Sequence, residues 1–214
     1  MKGTKFTIIG DRAHFKNNRS AVLQQTYKIP PISTVIGILK NIYGEDIENF
    51  MFGYNFSYLT SQYEISTLYK EFNLNVKTDS DKERFITSPC QVEYLINPKL
   101  EIIVIGLQEN FVMDMMLNLG KTNCLAKLKY ELIEIKNEKL IQYNVLTDFK
   151  DGDGVIERQN TETKYNEKKG CFDYYTKLIR TNDEYECQYS YDEQGLYLWK
   201  YNKVGEIECY KELI

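Results

Sequence analysis

The sequence contains few of the residues on which metal sites, disulfide frameworks and most catalytic groups depend. Its 214 residues include a single histidine, His14, and five separated cysteines that form no C-x-x-C pair. An odd number of separated cysteines indicates neither a disulfide framework nor a zinc site. We therefore expect free thiols, no metal ion and no cofactor.

Long apolar segments and common enzyme motifs are also missing. The longest strongly apolar run, residues 29–39, contains two prolines and is too short to span a bilayer. The N-terminus lacks the hydrophobic region of a signal peptide, which predicts a cytoplasmic protein with no membrane partner. There is no Walker loop, zinc-binding helix motif or nucleophile elbow. The Asp-Gly-Asp-Gly segment at 151–154 lacks an oxygen ligand at position 155, so we interpret it as an acidic turn rather than a calcium loop.

Charge is distributed unevenly along the chain, whose formal net charge is -4. Residues 1–44 contain seven basic side chains and one acidic side chain, Asp11, a net charge of +6, which leaves -10 for residues 45–214. Clustered Lys and Arg residues are typical of proteins that neutralise phosphates. The charge pattern therefore predicts an anion-binding face in the N-terminal segment. The alternative is a solvated edge with scattered lysines.

One helix has clear start and stop signals. Pro30 and Pro31 restrict the residues before them, so a helix over residues 34–43 is predicted to begin near Pro31, and Gly44 ends it. Its apolar face consists of Val35, Leu39, Ile42 and Tyr43. Gly37 leaves a flat spot that another backbone could approach closely.

The patterns over the first 135 residues predict the element order β-α-β-β-α-β. Strands are predicted at 6–9, 92–96, 100–105 and 125–135, an extended segment at 54–69, and a second helix at 109–119. Asn97-Pro98 is predicted to join the strands at 92–96 and 100–105 into a hairpin. The charged segment 73–84 is interpreted either as the tip of a long hairpin or as a flexible loop.

This order is that of a ferredoxin-like domain, the arrangement of RNA-recognition modules. We predict an α+β protein with such a domain over residues 1–135 and an acidic, tyrosine-rich β extension over residues 136–214. The candidate strands of the extension are 140–146, 174–179, 196–201 and 207–213.

Four segments carry a resemblance to a known family. Residues 6–15 and 26–39, the latter Thr-Tyr-Lys-Ile-Pro-Pro-Ile-Ser-Thr-Val-Ile-Gly-Ile-Leu, resemble the N-terminal signature of the Cas-five family of CRISPR-associated RAMP proteins. Residues 90–100 resemble its central hairpin, and residues 119–126 resemble its glycine-centred loop. The departures from the usual loop are Lys121, Asn123 and Cys124. The resemblance covers residues 4–135 and is closest to the type I-B members.

The resemblance implies a RAMP domain and a subunit of a type I CRISPR interference complex, Cascade. Such a subunit caps the 5′ handle of the guide RNA (crRNA), contacts the Cas-seven backbone subunit and the large subunit, and meets target DNA only indirectly. Recognition of a single-stranded handle requires cations beside aromatic rings. The implied RNA-binding residues are Arg12, His14, Phe15, Lys16, Arg19, Tyr27, Lys28, Gly120 and Lys121, with Lys82 and Arg84 from a thumb-like hairpin.

Two other functions remain open. One branch of the family cleaves the CRISPR repeat without metal, using a Tyr, Lys and His group, and Tyr27 lies where that branch carries its tyrosine. The chain has no Lys-His pair on the central hairpin, so we expect a protein without catalytic activity. A purely structural adaptor is the third possibility, and it leaves the basic segment unexplained.

Overall fold

The protein is mostly β in the residues that the computed structural model describes, which are 1–17, 23–72, 85–108, 111 and 116–210. Within these residues there is one helix, α1, over Ile32–Tyr43. The strands are β1 Lys2–Gly10, β2 Arg12–Ala13, β3 Leu23–Gln24, β4 Phe50–Ser57, β5 Thr60–Phe72, β6 Phe85–Ile96, β7 Lys99–Ile105, β8 Met116–Asn118, β9 Leu125–Glu134, β10 Leu140–Asp148, β11 Val155–Asn166, β12 Cys171–Cys187, β13 Tyr189–Tyr191, β14 Gln194–Leu196, β15 Trp199–Lys203 and β16 Glu206–Cys209.

The largest sheet has seven strands in the order β16-β15-β4-β7-β1-β9-β8. β7 lies between β1 and β4 and is antiparallel to both, so the two strands that α1 connects are parallel to each other with one strand between them. β9 pairs with the other edge of β1. β1, α1 and β4, with β7 between the two strands, therefore form a split β-α-β unit.

The prediction of a second helix over residues 109–119 is wrong at its C-terminal end. Residues 109, 110 and 112–115 lie outside the described residues, and residues 116–118 form strand β8, which pairs with β9. Leu117 and Leu119 are buried while Asn118 is exposed. This alternation has the period of a strand. The same segment also has methionines at helical spacing, and that spacing led to the prediction of a helix.

The predicted hairpin of residues 92–96 and 100–105 has the correct elements and the wrong pairing. Both strands form, and Asn97 between them has a φ of 51°. β6, however, pairs with β5 on one edge and with the short strands β2 and β3 on the other. Both edges of β7 are occupied by β1 and β4. The turn therefore carries the chain from one sheet to another.

Helix α1 agrees with its prediction. Val35, Leu39 and Ile42 are fully buried, and the chain leaves the helix at Gly44, which has a φ of 105°. Phe6 and Phe52 belong to the same core as this apolar face. Gly37 is exposed, and a Cβ there would meet no described atom within 4 Å, so the described residues contain no backbone at the predicted flat spot.

The C-terminal residues form a separate three-stranded sheet, β10-β12-β11, and also extend the largest sheet. β10 and β12 contain the strands predicted at 140–146 and 174–179, whereas β11 had not been predicted. The strand predicted at 196–201 corresponds to β15, which begins only at Trp199. The strand predicted at 207–213 corresponds to β16, which ends at Cys209, and residues 211–214 lie outside the described part. β15 pairs with β4, which places Trp199 in the main core. The domain boundary at residue 135 stays a prediction.

Other sequence-based assignments have mixed outcomes. The extended segment 54–69 is divided between β4 and β5, and the short strands β2 and β3 lie between β1 and α1 in the chain. Residues 151–154 form a bend between β10 and β11, in which Gly152 has a φ of 87°. The charged segment 73–84 lies outside the described residues.

Candidate nucleic-acid interface

A cleft of about 750 Å³ brings together residues that are far apart in the sequence. We call it the α1 cleft, because one side of it is the beginning of helix α1. It is lined by His14, Phe15, Lys16, Asn17, Tyr27, Pro31, Ser33, Thr34, Gly120, Lys121, Glu157, Arg158, Gln159 and Asn160. Six of the predicted RNA-binding residues are in this group: His14, Phe15, Lys16, Tyr27, Gly120 and Lys121. Arg12 and Lys28 are not in the lining, and Arg19, Lys82 and Arg84 lie outside the described residues.

Gly120 holds the loop that carries Lys121 against the segment around His14. The backbone N-H of His14 donates to the carbonyl of Leu119 at 3.0 Å. Gly120 has a φ of 93°, and a Cβ on it would lie 1.9 Å from the carbonyl oxygen of His14. Only glycine tolerates both the conformation and this close approach. The loop therefore has a fixed position, which places Lys121 in the α1 cleft.

The side chain of His14 is buried and neutral rather than a surface cation. It is 1% exposed, and its Nδ1 lies 2.7 Å from the carbonyl oxygen of Glu93. Because a carbonyl only accepts, Nδ1 carries the proton and Nε2 is the unprotonated nitrogen. Nε2 has no hydrogen-bond partner among the described residues. Burial lowers the pKa of His14, and the nearby charges of Lys121 and Lys16 lower it further despite the opposing hydrogen bond to Glu93.

Phe15 contributes its backbone to the site and its ring to the core. The ring is 2% exposed and packs edge-on against Phe56, with 5.5 Å between ring centroids, so its burial argues against base stacking by Phe15. The backbone N-H of Phe15 donates to Thr26 Oγ1 at 2.8 Å, and its carbonyl accepts from the N-H of Tyr27 at 2.8 Å. These bonds fix Tyr27 beside Lys16. Tyr27 is half-buried and is the aromatic ring in the lining that solvent reaches.

Three cations of the α1 cleft, Lys16, Lys121 and Arg158, make no ion pair with any residue in the described ranges. Lys121 Nζ donates to Gln24 Oε1 at 3.0 Å, and Arg158 Nη1 lies 3.4 Å from Thr176 Oγ1. One carboxylate, Glu157, is also in the lining, so with neutral His14 the cleft carries a formal charge of +2. The local charge is therefore positive although the whole protein is acidic.

The predicted N-terminal anion-binding face is smaller than its formal charge of +6 suggests. Four of its basic side chains form ion pairs with carboxylates from later parts of the chain, namely Lys5 with Glu131 and Asp192, Arg12 with Glu64, Lys28 with Glu93, and Lys40 with Glu162. The sequence separates these charges along the chain, and folding brings them together. Arg12 also lies over the ring of Tyr94 at 5.1 Å, which fixes it away from the cleft lining.

Glu93 has a structural role beside the α1 cleft. Burial alone would raise the pKa of this carboxyl group, but hydrogen bonds from the Lys28 ammonium and the Thr26 N-H outweigh burial and hold it below the ordinary value. The carboxylate fixes Thr26, which in turn accepts the Phe15 N-H. Lys28 is therefore committed to Glu93, at 2.5 Å, and serves the site through it.

The beginning of α1 adds partial positive charge to the α1 cleft. Ser33 and Thr34 line it, and the first turn of the helix contains no acidic residue. The N-H of Thr34 donates to the carbonyl of Pro31 at 2.9 Å. The N-H groups that precede it in a helix have no intrahelical acceptor, and with the helix dipole they favour an anion. The fold and this cleft thus define a β-rich protein with a site suited to a phosphate-bearing ligand.

Comparison with known proteins identifies the family. The model of the family described as CRISPR-associated protein (Cas_Cas5) matches residues 4–119, just over half of the chain. The protein belongs to the Cas-five family of CRISPR-associated proteins. A search of curated proteins finds no significant match.

One solved structure shows the same kind of fold. A chain of a "CRISPR RNA-guided surveillance complex" is similar with a TM-score of 0.51 and 13% identity, over 86% of this chain and 91% of that chain. A CRISPR protein from Archaeoglobus fulgidus has 11% identity over 97% of this chain and 98% of that chain, with a TM-score of 0.41. At 13% identity, the likeness to the chain of the surveillance complex establishes a shared fold. Within the described residues no helix is long and apolar enough to cross a membrane.

Proposed function

We propose that this protein is a cytoplasmic subunit of a type I CRISPR complex, Cascade, and that it binds the 5′ handle of the guide RNA in the α1 cleft without cleaving it. The observation that carries this proposal is the meeting of Lys16, Lys121 and Arg158 with the start of α1 in one cleft of a Cas-five protein. The family and the fold shared with a chain of a surveillance complex support the assembly. The proposal includes two further points. The four central strands form a ferredoxin-like RAMP domain, and the protein contacts the Cas-seven backbone subunit and the large subunit of the complex.

The cleft suits single-stranded RNA for three reasons. Lys16 and Lys121 can neutralise phosphates, and the N-H groups that precede Thr34 at the start of α1 can donate to phosphate oxygens. Tyr27 offers a half-buried ring on which one splayed base can stack. The cations have no competing carboxylate partner in the described part of the chain, so binding RNA does not require breaking an ion pair.

A metal-independent ribonuclease is the second candidate, because His14, Tyr27 and Lys121 line the same cleft. General acid-base cleavage requires a base for the 2′-hydroxyl and an acid for the leaving oxygen. His14 is a poor base here, since it is 1% exposed and its Nε2 is buried. We therefore propose binding without catalysis.

The experiment is a titration of the full chain with labelled CRISPR repeat RNA in the absence of metal, over a series of salt concentrations. The variant Lys16→Ala/Lys121→Ala removes two cleft cations, and Lys139→Ala/Lys203→Ala removes two exposed lysines outside it. We expect about a tenfold loss of affinity for each cleft cation. The slope of log K against log salt should become shallower by about 0.7 for each lost phosphate contact. Equal affinities of the two double variants would contradict the proposal.

A further inference from the structure

Strand β11 forms a side of the α1 cleft that the N-terminal signature does not include. Residues 157–160 line the cleft together with Lys16 and Lys121. β11 belongs to the part of the chain that carries the excess negative charge. Its position raises the question of whether this strand takes part in ligand binding.

β11 is an edge strand in the described part of the structure, where its only strand partner is β12. One edge of β11 therefore carries backbone N-H and C=O groups that no strand pairs. A backbone N-H is a common donor to nucleic-acid phosphates. The ladder with β12 shifts between Asn160 and Glu162, so a bulge lies directly beside the cleft-lining residues. Bulges redirect side chains and are frequent beside binding sites.

A buried carboxylate fixes β11 to the N-terminal helix. Glu162 is 3% exposed and pairs with Lys40 of α1. Each of its oxygens also accepts from the hydroxyl of Tyr201 at 3.1 Å, and Oε2 accepts from the N-H of Gly205 at 2.8 Å. These contacts hold β11 in place at Glu162, four residues from Arg158, before any ligand binds.

Arg158 is the one basic side chain that β11 contributes to the lining of the α1 cleft. It is exposed, and its contact with Thr176 Oγ1 at 3.4 Å is weak. A guanidinium group matches the geometry of a phosphate with two parallel hydrogen bonds. The two neighbouring hollows carry a net negative charge. One includes Lys28, Glu157 and Asp183, and the other includes Lys40, Lys164, Glu45, Asp46, Glu48 and Glu162. Positive charge is therefore concentrated in the α1 cleft.

We infer that Arg158 contacts an RNA phosphate in the α1 cleft, so that the C-terminal part of the chain shares in RNA binding. The inference rests on the proposed function. β11 then forms a second wall of the RNA site, in addition to the wall formed by the basic N-terminal segment.

The test compares Arg158→Ala, Arg158→Lys and the control Lys168→Ala by fluorescence anisotropy with labelled repeat RNA over a salt series. Lys168 lies exposed in the turn between β11 and β12, outside the cleft, so its removal gives the same change in charge. We expect Arg158→Ala to bind about tenfold more weakly than the unmodified protein, with a salt slope shallower by about 0.7. Arg158→Lys should retain the slope, and Lys168→Ala should bind normally.

Two results overturn the inference while leaving the proposed function intact. One is equal binding by Arg158→Ala and Lys168→Ala. The other is weaker binding by Arg158→Ala with an unchanged salt slope, which indicates a change of structure instead of a lost phosphate contact. If the unmodified protein does not bind repeat RNA, the proposed function itself fails, and the inference fails with it.

Discussion

Replacing Gly120 by alanine tests the geometry on which the α1 cleft depends. The new Cβ would lie 1.9 Å from the carbonyl oxygen of His14 and 2.7 Å from its carbonyl carbon. Real Cβ contacts are not shorter than 3.0 Å, so the loop or the His14 backbone must move by about 1 Å. The φ of 93° adds strain for any residue with a side chain.

The expected cost has two parts. Holding a residue other than glycine in this conformation costs about 1–3 kcal/mol. Overpacking a fixed site costs about 1–3 kcal/mol. The variant should therefore lose about 2–6 kcal/mol, a large share of the about 5–15 kcal/mol by which native proteins are stable. Movement of the loop should also displace Lys121 and weaken RNA binding.

The assay is urea unfolding followed by the fluorescence of Trp199, the one tryptophan of the sequence, which is 1% exposed. Gly37→Ala is the matched control, because a Cβ at Gly37 meets nothing within 4 Å and the site lies within a helix. We expect this control to be more stable by about 0.5–1 kcal/mol. A Gly120→Ala protein within about 0.5 kcal/mol of the unmodified one would refute the reasoning, since ordinary surface changes have effects of that size.

Two further predictions concern buried groups beside the cleft. Lys40→Met removes one partner of a buried ion pair and should cost about 3–5 kcal/mol in urea unfolding, whereas Lys203→Met, at an exposed pair with Glu206, should cost less than about 1 kcal/mol; equal losses would contradict a buried pair. For His14 the folded pKa is below the unfolded one, so the unfolded state binds the proton first as pH falls. Stability should then decrease below the unfolded pKa of about 6.5, by up to about 1.4 kcal/mol per pH unit, until the folded pKa is reached. His14→Gln should flatten the stability profile below about pH 6.5, and an unchanged profile would argue against a buried neutral histidine.

Local signals in the sequence predicted the elements that form one side of the site. The two prolines and Gly44 defined α1, the near-continuous apolar run at 100–105 defined β7, and the alternation over 125–135 defined β9. The resemblance to the Cas-five family rested on four segments, one of which leads into α1, and the family match confirms it.

The pairing of charges and the second wall of the α1 cleft were not predictable in the same way. Lys40 and Glu162 are far apart in the sequence, so no local pattern indicates that they neutralise each other. β11 has polar residues on both faces, and it exists as a strand because β12 pairs with it along its length. Because the sequence did not predict β11, nothing placed Arg158 near Lys16 and Lys121.

The central claim is that RNA binds in the α1 cleft, and photocrosslinking tests it most directly. The full chain would be irradiated with repeat RNA that contains 4-thiouridine, and the crosslinked peptides would be identified by mass spectrometry. We predict crosslinks in the peptides that contain Tyr27, Lys121 and Arg158, with intact RNA. Crosslinks confined to the exposed aromatic residues Tyr165, Phe172 and Tyr174 on the β11–β12 hairpin would contradict the account.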